Sequence, residues 1–321
     1  MLRLLAATGL FFASLAAPNL AEAQTPAKDW PQRNVTFILP LGPGSGVDIS
    51  TRMIGDKLSP KWGKPVVIEN RPGGDAIVAI NAFLAANDDH TFLMAPTSTF
   101  TAHPLLHEKL PYDPADLIPV ARITNTIIAI GVPASLNINT LADFVKLAKE
   151  KPGSLNYAGT TGAVDFVVSG WLKESNINVA KIPYKDGVQA LNDLAEGRIH
   201  IYGAAYAIMR PQVQAGKVKL LALMNAQRAP ALPDVPTAKE AGFPALTLDG
   251  LVGLFATAKV PAEVRDRISA EIVQAASDPE IVKRLTAMGQ VVRPGGAKEF
   301  AAEIDDQRKR IADAAKMAAG K

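Results

Sequence analysis

Residues 37–52, FILPLGPGSGVDISTR, constrain the fold more than any other stretch of the chain. The apolar run Phe37-Ile38-Leu39 reads as a buried strand. It enters a loop holding Leu41, Gly42, Pro43, Gly44, Ser45 and Gly46, and the loop runs directly into a helix. That helix has an apolar stripe at Val47, Ile54 and Leu58. Glycines let the backbone come close to a ligand. The first amides of a helix have no partner within it, and its dipole is positive at that end. A strand, a glycine loop and a helix N-terminus together make an anion-binding device, suited to a carboxylate. The same turn also serves α/β proteins purely for packing, so it does not fix a function alone. It is a poor phosphate loop, because Val47 and Asp48 stand where GxxxxGK[ST] needs a lysine and a hydroxyl. Its GxGxG spacing is also a poor match to the dinucleotide GxGxxG.

The N-terminus points to export. Arg3 precedes an apolar run over residues 4–17, and Ala21-Glu22-Ala23 is an A-x-A cleavage signal. Residues 1–23 are expected to be a secretory signal peptide, cut after Ala23, and too short for a membrane anchor. No later run is long and apolar enough to span a bilayer. The chain has no cysteine, which excludes disulfides, thiolate metal sites, a thiol nucleophile and a lipid-anchored cysteine. The expected product is a soluble exported protein, periplasmic in a Gram-negative host. With 48% hydrophobic and 20% charged residues the chain is globular. A net charge of +3 is too small to argue for nucleic acid.

Strand and helix patterns alternate. Strands are expected at 35–39, 65–69, 91–95, 117–123, 127–132, 155–158, 180–183, 198–203, 219–224 and 246–256. The part from Pro261 onward is expected to be mostly helical. Thr140-x-x-Asp143 and Thr237-x-x-Glu240 are capping-box signatures. Asp278-Pro279 reads as an N-cap with proline at the first helical position. Alternating elements imply parallel or mixed sheets covered by helices. No linker composition divides the chain, so two domains must be joined by strands that cross between them.

A series of segments then carries a family resemblance. The series opens with Pro40 to Arg52 and continues with VVIENRPGG at 66–74 and KLPYDPADLIPVARI at 109–123. IPYKDGVQALNDLAEGRI follows at 182–199, QAGKVKLLAL at 214–223, and LPDVPTAKEAGFP at 232–244. In this order the segments resemble the Bug-type substrate-binding receptors of tripartite tricarboxylate transporters over essentially the whole chain. The resemblance implies a type II periplasmic-binding-protein fold, an α/β class with two lobes around a ligand cleft joined by crossing strands. The expected lobes are 24–125 plus 247–321 and 126–246. It also implies a small organic-acid ligand held by backbone amides, hydroxyls and water, permease partners, no cofactor, and a monomer.

Carried over position by position, the first lobe offers Leu41, Gly42, Pro43, Gly44, Ser45, Gly46 and Asp48, then Thr97 and Ser98, with Thr99 beside them. The second lobe offers Thr160, Thr161, Gly162 and Ala163, then Gly203, Ala204 and Tyr206. Several positions depart from the family pattern. Ala163 stands at a usual serine, Phe166 at a usual histidine, His200 at a usual aspartate, and Gly203-Ala204 where an aromatic and a polar residue are common. These changes remove polar contacts and predict a larger or more apolar acid than malate or citrate.

Each residue also has a plainer reading. Asp48 can cap its helix, Thr160 and Thr161 can satisfy local backbone, and Tyr206 can be core. Arg71 and Asp75 read as a surface pair. His103 and His107 have the i, i+4 spacing of a helical metal pair, but Pro104 follows the first and the sequence shows no third ligand, so no metal site is expected. Three function classes follow: a transport receptor, a sensor that presents its ligand to a membrane histidine kinase, and an enzyme. No nucleophile–base pair or G-x-S-x-G elbow supports the last.

Overall fold

The computed structural model describes residues 29–160 and 162–320. The expected leader, 1–23, and Thr161 therefore lie outside the described residues. The first body is built on a six-stranded sheet. Its early elements are β1 (Val35–Leu39), α1 (Gly46–Trp62), β2 (Val66–Asn70), α2 (Ile77–Ala86), β3 (Thr91–Pro96), α3 (Thr97–Leu106) and β4 (Ile118–Thr126). The chain then leaves for the second body through β5 (Ile128–Pro133), α4 (Leu141–Glu150), β6 (Leu155–Gly159), α5 (Ala163–Glu174) and β7 (Val179–Pro183). It continues through α6 (Gly187–Ala195), β8 (Tyr202–Ala205), α7 (Tyr206–Gln214) and β9 (Val218–Leu223). It returns as β10 (Gly250–Ala256), α8 (Ala262–Ala276), α9 (Pro279–Ala287), β11 (Gln290–Gly296) and α10 (Ala297–Ala318). None of the described helices is long and apolar enough to cross a membrane.

The first sheet has the order β11-β4-β10-β3-β1-β2. β1 pairs in parallel with β2 and β3, while β10 runs antiparallel to both β3 and β4. Helices cover both faces, so its central strands are apolar almost throughout. On one face Trp30, Phe37, Trp62 and Phe92 meet edge to face, with ring centroids 5.0–6.3 Å apart. On the other, Phe255 packs against Phe100 at 5.0 Å and Phe300 at 5.3 Å.

The second body has a three-stranded sheet, β8-β5-β9, and the parallel pair β6-β7. A parallel bridge between Tyr157 and Ile201 ties the pair to β8. Trp171, Phe144, Leu141 and Ile130 lie in its core. Thr140 and Asp143 close a full capping box at the start of α4. Thr237 and Glu240 form the same reciprocal bonds, but they close a turn and no helix follows.

Three expectations need correction. Residues 290–296 form β11 inside the part expected to be helical, pairing with β4 as an edge strand that tolerates Pro294. Residues 198–199 close α6, since the amides of Arg198 and Ile199 both bond to the Asp193 carbonyl, and the strand begins only at Tyr202. The strand expected from 246 begins at Gly250, because Pro244–Leu246 makes a short 3₁₀ turn.

Two chain segments cross between the bodies. β4 and β5 are separated by Ile127 alone. Asn225 braces that junction: its amide oxygen accepts from the Ile128 N–H at 2.9 Å and its amide nitrogen donates to the Thr126 carbonyl at 3.0 Å. On the return path, Asp249 accepts from the Asn125 side chain and from the Ala226 amide.

α10 is a third tie. Phe300 and Ile304 sit in the core of the first body, and Ile311 sits in that of the second. Near its end, Ala314 packs so closely on Gly170 that a Cβ there would lie 2.8 Å from the Ala314 carbonyl. The helix is anchored by Arg122, which is wholly buried on β4. Its guanidinium donates to Glu299 at 2.8 Å, to Glu303, and to the Arg293 carbonyl at 2.6 Å. Arg293 also pairs with Glu303 at 3.0 Å. Removing one member of a buried ion pair strands its partners. Arg122→Met is expected to lower the unfolding free energy by about 3 kcal/mol, read from urea denaturation, because both glutamates lose their buried partner. A loss below about 1 kcal/mol would show that α10 is held by packing alone.

Candidate functional site

The loop from β1 to α1 is fixed by its own polar groups. Ser45 caps α1, its hydroxyl accepting from the Asp48 amide at 3.2 Å. Asp48 reaches back and accepts from the Gly44 amide at 2.9 Å. Its other oxygen accepts from Arg52 at 3.1 Å and from the Asn70 amide at 2.9 Å, and Asn70 also donates to the Leu41 carbonyl at 2.8 Å. Gly44 has φ +83°, a conformation natural to glycine. Burial alone would raise the Asp48 carboxyl, but the bonds from Arg52, Gly44 and Asn70 outweigh it and hold the group below its ordinary 3.8. The amides of Gly46 and Val47 make no hydrogen bond among the described residues. They are the open donors at the positive end of α1.

Among the other helices that open without a side-chain cap are α3 at Thr97, α5 at Ala163 and α7 at Tyr206. Each follows a strand directly or after a short loop, as α1 does. β1 and β3 are parallel neighbours, so α1 and α3 begin at the same edge of the first sheet. β6 and β8 are joined in parallel at Tyr157 and Ile201, so α5 and α7 begin at one edge of the second. The turn 289–290 brings the two edges together. Gln290 lies against Gly46, leaving no room for a Cβ there, and a Cβ on Gly289 would be 3.3 Å from the Tyr206 ring. Two helix starts, one from each body, thus flank the same two residues.

The expected site residues are distributed as follows. Leu41, Gly42, Pro43, Gly44, Ser45, Gly46 and Asp48 form the first loop, and space lies open where Cβ atoms on Gly42 or Gly44 would stand. Ser98 is half-buried in the first turn of α3. Thr97 is wholly buried, and its hydroxyl donates to Gln307 of α10 at 2.8 Å, beside Thr101 at 2.9 Å. Gly162, at φ +104°, leads into α5, with open space where its Cβ would stand, and Ala163 is the first helical residue. Thr160 lies beside the buried Tyr202 hydroxyl. Tyr206 is buried in the second body's core, and its amide bonds to the Ile127 carbonyl.

Gly203, where the sequence predicts a larger ligand, offers no free space. A Cβ there would meet Val164 and Val168 of α5 at 3.0 Å, so this glycine admits a helix. Ala204 lies in the core on the same strand. Phe166 packs against the apolar core of the second body. Arg71 pairs with Glu69 at 2.8 Å, and the surface pair expected with Asp75 does not form. His200 joins Asn156 in holding β6 to β8. Sequence reasoning missed Gln290. Its side chain is buried, and its amide oxygen has no hydrogen-bond partner among the described residues. Nothing local marked it, because its neighbour Gly46 is distant in sequence.

Two α/β bodies joined by crossing strands, with helix starts gathered at their boundary, define a periplasmic-binding-protein architecture. The chain belongs to the tripartite tricarboxylate transporter receptor family, TctC, whose sequence profile matches residues 50–317. A UPF0065 protein of Bordetella bronchiseptica is 30% identical over 305 residues, 94% of this chain and 91% of that protein. Two solved structures share the fold. The R. palustris protein Rpa4515, solved with adipate, superposes with a TM-score of 0.77 at 26% identity, covering 91% of this chain and 99% of that one. MatC from Rhodopseudomonas palustris, with bound malate, gives 0.71 at 26% identity, covering 89% and 100%. The family is one of receptors.

The Asp48 carboxylate ties the loop at Gly44 to Arg52 of α1 and Asn70 of β2, so its removal should loosen the whole turn. Asp48→Ala is expected to lower stability by roughly 2 kcal/mol at neutral pH, because buried donors lose a charged acceptor. The depressed carboxyl contributes fully above 3.8 and less as pH falls through its lower folded value. Urea melts of both proteins should therefore converge under acid conditions. A gap that stays constant below that value would mean the loss is one of packing.

Proposed function

We propose that this chain is an exported receptor that captures a small organic carboxylate and delivers it to the membrane permease of a tripartite tricarboxylate transporter. The observation that carries this reading is the set of unpartnered helix starts at the boundary of the two bodies. The amides of Gly46 and Val47 approach from α1, and the uncapped start of α5 at Ala163 belongs to the other body. Gln290 adds a buried amide oxygen beside the start of α1, one residue from the Gly289 that lies against Tyr206 of α7, and it is able to accept from a ligand hydroxyl or a bridging water. Asp48 is a positioning group, since its oxygens are already occupied by the loop.

In this reading residues 24–125 and 247–321 form one lobe and 126–246 the other, with α10 reaching across. Ser98 and Thr160 supply hydroxyls near the ligand, while Thr97 supplies none because Gln307 holds it. Cleavage after Ala23 releases the receptor into the periplasm. The ligand is a longer-chain or aromatic acid. Ala163 supports this, since it places a methyl where the family pattern has a serine. Burying an apolar body there gains about 25 cal/mol per Å². A ligand hydroxyl left without a partner costs roughly 1–3 kcal/mol.

A thermal-shift and calorimetry panel of adipate, benzoate, malate and citrate tests both levels. A ligand at about 100 times its dissociation constant should stabilise the protein by about 2.7 kcal/mol. Adipate or benzoate should bind at least about tenfold tighter than malate, a difference of about 1.4 kcal/mol. Small-angle scattering should show a smaller radius of gyration on saturation, as in hinge closure. Tightest binding by malate or citrate would overturn the ligand class. No binding by any carboxylate would overturn the receptor reading.

A further inference from the structure

His103 and His107 stand at the end of α3, far in sequence from the turn after β2. The sequence shows them no third ligand, and the fold supplies one. Asp75 lies in that turn, at φ 52° and ψ 48°, and one ligand atom from each of Asp75, His103 and His107 lies within 4.8 Å of the other two. Pro104 does not disrupt the pair. It is accommodated inside α3, and the helix ends so that His107 is its C-cap, with its amide on the His103 carbonyl at 3.0 Å.

The side chains have the features of a metal site. His103 is completely buried, with Nε2 3.3 Å from the Asp75 Oδ2. A tetrahedral ion with bonds of about 2.0–2.1 Å sets its ligand atoms about 3.3–3.4 Å apart. His103 Nε2 and His107 Nε2 are both buried, and apart from the Asp75 carboxylate that His103 faces they have no hydrogen-bond partner among the described residues. The other nitrogen of His103, Nδ1, is 2.5 Å from the Tyr112 hydroxyl. In the tautomer that donates Nδ1–H to Tyr112, the Nε2 lone pair is free to ligate. An outer partner of this kind fixes both the tautomer and the ring plane of a ligating histidine. The two imidazoles meet edge to face at 5.4 Å.

We propose that Asp75, His103 and His107 bind a divalent first-row transition metal, with zinc as the reference ion, and that a fourth position is left for water. Two imidazoles with one carboxylate favour zinc, nickel, cobalt or copper over calcium or magnesium, which prefer oxygen donors. The ion clips the left-handed turn at Asp75 and Ala76 to the end of α3. The site uses no residue of the carboxylate cleft, so it stands or falls independently of the receptor reading.

The test is calorimetric titration of the chelator-treated mature chain with zinc chloride, with cobalt(II) absorption as a second readout. One saturable equivalent of zinc and strong visible cobalt bands are expected. Asp75→Asn and His107→Gln alter partly exposed side chains and should keep the native circular dichroism. Each should weaken zinc binding by about 100-fold or more, and Tyr112→Phe by about tenfold. Absence of one-to-one zinc binding, or binding that Asp75→Asn and His107→Gln leave unchanged, would overturn the proposal.

Discussion

A single buried guanidinium holds α10, the longest helix among the described residues, in place. Arg122 projects from the strand that leads out of the first body, and it engages Glu299, Glu303 and the Arg293 carbonyl together. A charge this deep is tolerable only when its donors are matched by acceptors. The matching acceptors lie on α10 and on the edge strand β11, so satisfying Arg122 fixes both. With its first turns pinned, α10 has one course, past Gln307 and on to the second body. Gln307 continues the logic, accepting from Thr97 and Thr101 and donating to the Asp249 carbonyl at 2.8 Å. One helix therefore registers α3, the return crossing and the second core against each other.

Much of the fold was legible in the sequence because its signals are local. The run 37–39 followed by a glycine loop and an apolar stripe needs no distant partner to form a strand, a turn and a helix. Thr140 and Asp143 are three residues apart and bond each other directly. Misreadings arose where a distant partner decides the outcome. β11 has a proline and two glycines, and it becomes a strand only because β4 offers an edge. Thr237 and Glu240 satisfy the capping pattern in full, yet Gly242 at φ +89° and Pro244 end the turn before a helix can extend.

The candidate site divides along the same line. Ser45 and Asp48 form a local device, and their spacing discloses it. The fate of Thr97 does not, because its partner is 210 residues away. Gly203 offers a sharper lesson. An absent side chain reads as free volume in a sequence, but a close-packed interior fills it, here with Val164 and Val168. The Asp75 carboxylate reaches His103 only because β2 and β3 flank β1 in the sheet, an order that no local pattern encodes.

The contact between Gly170 and Ala314 has a mechanical consequence. It joins two helices from different bodies through a glycine and an alanine, with backbone nearly touching backbone. Beside it Ile311, one turn earlier on α10, is buried in the second body's core with Trp171, so the two helices are held both by close backbone approach and by side-chain packing. The junction at Ile127 and the brace at Asn225 fix the distance between the bodies on one side. Together they tie the two bodies at two separate places, so any movement of one body against the other has to preserve or repack both contacts. A bulky residue at Gly170 would wedge α5 away from α10 and shift one body against the other without touching any group in the first loop.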